Sequence, residues 1–78
     1  PVAPALRDAR SRAELESRAS AAESSRQVAE AAQAQAQVAL ERAQAETAIA
    51  RRKHDEGELL PEDLERRVFD ERQAARAL

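Results

Sequence analysis

Between Ala5 and Glu56 the chain contains neither glycine nor proline, and its only glycine, Gly57, is followed by its only interior proline, Pro61. Glycine adopts a left-handed backbone conformation without a Cβ clash, so Gly57 suits the position just past a helix C-terminus. Proline lacks an N–H and fixes φ, so Pro61 suits the first turn of a new helix. The punctuation therefore predicts helix, tight turn, helix. The expected fold is all-α: an antiparallel helical hairpin with one long helix over about 5–56, a turn at 57–60 and a shorter return helix over about 61–78. It forms a single helical-hairpin domain or fragment, led by an extended segment at residues 1–4 from which Pro4 passes into the first helical turn.

Composition agrees with long helices rather than a globule. Of the 42% hydrophobic residues most are Ala, and 36% of the chain is charged. Ala, Glu, Arg and Gln in excess characterise long helices and coiled coils. An uninterrupted helix of about 50 residues would extend roughly 75–80 Å. Its return partner is much shorter and reaches only the stretch near Ala39–Glu56, so the earlier part needs cover either from further chain or from another chain. Asp8 with Arg12 and Glu14 with Arg18 stand at i,i+4 with the acid first, each adding a few tenths of a kcal/mol to the early turns.

The apolar pattern suggests where the helices meet. Between Glu23 and Ala50 a stripe in steps of three and four runs through Val28, Ala31, Gln35, Val38, Arg42, Ala45 and Ile49. After the turn, Leu64, Val68, Glu71, Ala75 and Leu78 repeat the spacing, with Phe69 beside them as core or half-buried seam. The first stripe is narrow and Ala-rich, so each buried position contributes less than a Leu would. Val28, Val38 and Ile49 are spaced by about eleven, which predicts little supercoiling.

Several function classes fit poorly. A net charge of −2, with both signs interspersed, supplies no global attraction to nucleic acid or anionic membranes. No apolar run approaches the roughly 20 residues of a membrane span, so the hairpin itself is expected outside the membrane. The absence of Cys removes disulfides and thiolate metal sites. One His and no Gly-rich phosphate loop argue against an enzyme, and no cofactor is called for. His54 with Asp55, Glu56 and Glu58 has metal-ligand residue types, but a single imidazole in a solvated turn is poor coordination, so no metal is expected. Arg51, Arg52 and Lys53 are explained as cations near a helix C-terminus. Leu59 is expected to pack back on the last helical turn, as beside a Gly-capped C-terminus. Leu60 is left as the candidate contact for a partner.

The run from Ala50 to Arg67, Ala-Arg-Arg-Lys-His-Asp-Glu-Gly-Glu-Leu-Leu-Pro-Glu-Asp-Leu-Glu-Arg-Arg, resembles the hairpin tip of periplasmic adaptor subunits, the membrane fusion proteins (HlyD type) of tripartite efflux and secretion systems. The flanks agree: Pro4 to Ala13 is similar to the start of the long helix in one branch, and Ala31 to Gln37 has the family's Ala-Gln texture. The resemblance implies a coiled-coil adaptor hairpin in the periplasm, belonging to an inner-membrane-associated homo-oligomer that joins an inner-membrane transporter to an outer-membrane duct protein. It implies a docking tip made by Arg51, Arg52, Gly57, Leu59, Leu60 and Pro61. Many adaptors carry an Arg, a Leu and a Ser at the tip, and here those positions hold Ile49, Lys53 and Leu60. Arg51 and Arg52 would then supply the basic contact from neighbouring positions. Replacing Ser by Leu60 removes an N-cap worth about 1 kcal/mol. Pro61, Glu62 and Asp63 partly offset that loss.

Two other readings fit the same residues. One is a free-standing coiled-coil oligomerisation module whose exposed first half pairs with a second copy. The other is a helical segment of the outer-membrane efflux duct itself, with β-barrel strands beyond these ends instead of the halves of a lipoyl-like β domain.

Overall fold

The computed structural model describes residues 4–78, so residues 1–3 of the expected extended lead-in at 1–4 lie outside them. Two helices make up the described chain, α1 (Pro4–Asp55) and α2 (Pro61–Arg76), joined by residues 56–60. α2 starts at Pro61 as the sequence predicts, and the other three boundaries differ from the expectation by one or two residues. α1 takes in Pro4, whose fixed φ and missing N–H suit a first helical position. It stops at Asp55, since Glu56 already belongs to the turn. α2 stops at Arg76, with Ala77 as its C-cap, rather than continuing to Leu78.

The chain divides into two units, Pro1–Ala31 and Ala32–Leu78. In the first, every side chain from Ala5 to Ala31 is exposed. Its local order comes from the helix ladder and from charge pairs. Arg26 bridges Glu23 at i−3 and Glu30 at i+4, the latter at 2.5 Å. Gln27 donates to the same Glu23 carboxylate at 3.3 Å. Arg12 instead donates to the main-chain carbonyl of Asp8 at 3.4 Å, and among the described residues no ion pair joins Glu14 to Arg18.

The second unit is the hairpin. On α1 its inner face is Ala36, Leu40, Ala43, Thr47, Ala50 and His54, in regular alternation of four and three. On α2 the half-buried positions are Leu64, Val68, Glu71 and Ala74. The α1 seam is thus turned about half-way round the helix from the expected stripe, and Val38 and Ile49 are 55% and 51% exposed. The small residues explain the choice. Ala43, Thr47 and Ala50 let α2 approach closely, and among the described residues the buried ones are Thr47 (3% exposed) and Ala50 (6%). On α2 the first three expected positions are correct, but Ala74 replaces Ala75 and Leu78 is exposed. Phe69, expected in or beside the seam, is 59% exposed because it follows Val68 by about 100° round the helix.

Two polar contacts tie the helices together. The Thr47 hydroxyl lies 2.9 Å from the carbonyl of Ala43 and 3.2 Å from that of Arg67. Arg67 donates through Nη1 to Glu46 Oε2 at 3.0 Å. Both register the helices at the same level.

Candidate functional site

The turn closes through main-chain hydrogen bonds. Glu58 N–H donates to the Lys53 carbonyl at 2.8 Å, and Gly57 N–H donates to that of His54 at 2.9 Å. This pair of bonds, with Gly57 at φ +77°, is a Schellman C-cap. A Cβ at Gly57 would meet nothing within 4 Å, so the glycine is required by its backbone conformation and not by crowding. Leu60 follows as the N-cap of α2, extended at φ −70° and ψ 147°. Its carbonyl accepts from Asp63 N–H at 3.1 Å and Leu64 N–H at 3.3 Å, while its side chain makes no cap. Pro61 occupies the first turn, with Glu62 and Asp63 placed favourably at the positive end of the helix.

These bonds set the side chains of the tip. Leu59 turns inward and is half-buried, lining a groove of about 320 Å³ with Ile49, Ala50, Lys53, Asp63 and Arg66. Leu60 turns outward and is 65% exposed, next to the exposed ring of Pro61. Gly57, Leu60 and Pro61 therefore share the end of the hairpin. The arginines lie further back: Arg52 is exposed in the last turn of α1, and Arg51 lines a separate lateral groove with Leu64, Phe69 and Arg72.

The electrostatics of the tip add an element absent from the sequence expectations. Asp55, Glu56, Glu58, Glu62 and Asp63 are all exposed, so the turn and the two helix ends it joins are rich in carboxylates, with Lys53 sharing the Leu59 groove with Asp63. The signal is present in the sequence as five carboxylates in the run 55–63, but the three adjacent cations obscure it. His54 is half-buried, and its Nδ1 stands 3.6 Å from Asp55 Oδ1, too far for a hydrogen bond. Among the described residues no three His, Asp or Glu side chains gather as a metal site, and no helix is long and apolar enough to cross a membrane.

Compared with protein-family models, curated proteins and solved structures, the chain matches none.

Proposed function

We propose that the chain is the helical hairpin of a periplasmic adaptor, a non-catalytic element that links an inner-membrane transporter to an outer-membrane duct. The observation that carries this reading is Leu60, an apolar side chain 65% exposed at the end of a hairpin whose turn is held by main-chain bonds. A large apolar group in that position, fixed by a C-cap on one side and Pro61 on the other, is a preorganised contact that costs little to order on binding. The resemblance of residues 50–67 to adaptor tips supplies the partner class. The mechanism is geometric: the tip seats against the helix ends of the duct, neighbouring hairpins assemble side by side, and energy coupling belongs to the transporter.

The test is capture of an outer-membrane duct protein by the whole chain. Leu60→Asp combined with Arg52→Asp is expected to lower capture at least tenfold while far-UV circular dichroism shows unchanged helicity. Undiminished capture by the double variant removes the tip from the interface. The oligomerisation-module reading has its own support in the first half of the chain, where Leu6, Leu15 and Val28 are all exposed.

A further inference from the structure

We draw no further inference here: the strongest candidate, the lateral groove of the hairpin in which the exposed Phe69 lies between Arg51 of α1 and Arg72 of α2, is an unpartnered face whose lining also holds Glu62 and Glu65, so neither its charge nor anything else in the structure shows what covers it.

Discussion

The hydroxyl of Thr47 reaches across the hairpin to the main-chain carbonyl of Arg67, 3.2 Å away and twenty residues on, while lying 2.9 Å from the carbonyl of Ala43 on its own helix. A single O–H is shared between two acceptors, each of which belongs to a helix ladder as well. At 3% exposure this is the most buried polar side chain of the hairpin, and it stands in the middle of the α1 seam. It allows close approach because it is small, and it marks one level of α2 because its second acceptor is there.

Replacement of Thr47 should therefore depend on shape more than on polarity. Thr47→Val keeps the branched volume and strands neither carbonyl, so a stability change within about 1 kcal/mol is expected. Thr47→Leu forces a longer side chain between two close backbones and should cost about 1–3 kcal/mol. Thermal unfolding followed by circular dichroism at 222 nm separates the two. A Val variant destabilised as much as the Leu variant would show that the hydroxyl, and not the fit of the side chain, holds this level of the seam.

The same seam explains what could and could not be read from the residues alone. Gly57 and Pro61 were legible because each admits few backbone states, and both stand where their chemistry requires. The face of α1 was not. With Ala at so many positions between Ala36 and Ala50, several three-four stripes are available, and choosing the one with Val38 and Ile49 assumes that the largest apolar groups go inside. Close packing prefers Ala43, Thr47 and Ala50, and a stripe containing Thr and His54 reads as polar until its partner helix is known. On α2, where Leu64 and Val68 have no apolar competitors on another face except Phe69, the stripe is legible as far as Glu71. The Glu46–Arg67 pair was out of reach, because it depends on the register between helices. At the tip the outward position of Leu60 follows from the sequence, whereas the carboxylates of the turn and helix ends are masked by the neighbouring Arg51 and Arg52.

The Glu46–Arg67 ion pair should matter little to stability. Both side chains are about half exposed, and exposed pairs contribute about 0.2–1 kcal/mol. Glu46→Gln is expected to cost no more than this in low salt, and the difference from the parent chain should vanish near 1 M NaCl, where the screening length is about 3 Å. Paired melting curves at the two salt concentrations measure it. A loss that persists in high salt would mean that Glu46 acts through packing.

Gly57 offers a test that isolates the backbone. Its φ of +77° lies in the left-handed region, and the space around it is open. Gly57→Ala should cost about 1–2 kcal/mol from conformation alone. Asn tolerates the left-handed region better and should cost less. If Ala and Asn prove equally damaging, something other than φ is limiting, which open space at this position gives no reason to expect. Urea unfolding of the three chains decides the order.

Leu60 is where stability and docking should part. As the N-cap of α2 it leaves the helix without a side-chain acceptor, so Leu60→Ser should strengthen the start of α2 by about 0.5–1 kcal/mol. Leu60→Asp should gain at least as much, since its charge also meets the positive end of the helix dipole. The turn already carries Glu62 and Asp63, and their repulsion of a new carboxylate reduces that advantage as salt is lowered. Both substitutions remove the apolar contact at the tip, so they should raise the melting temperature while lowering duct capture. Opposite movement of the two readouts is the signature of a residue retained for binding at the expense of its own helix. A variant that melts higher and captures the duct undiminished would leave the exposed leucine without the role proposed for it.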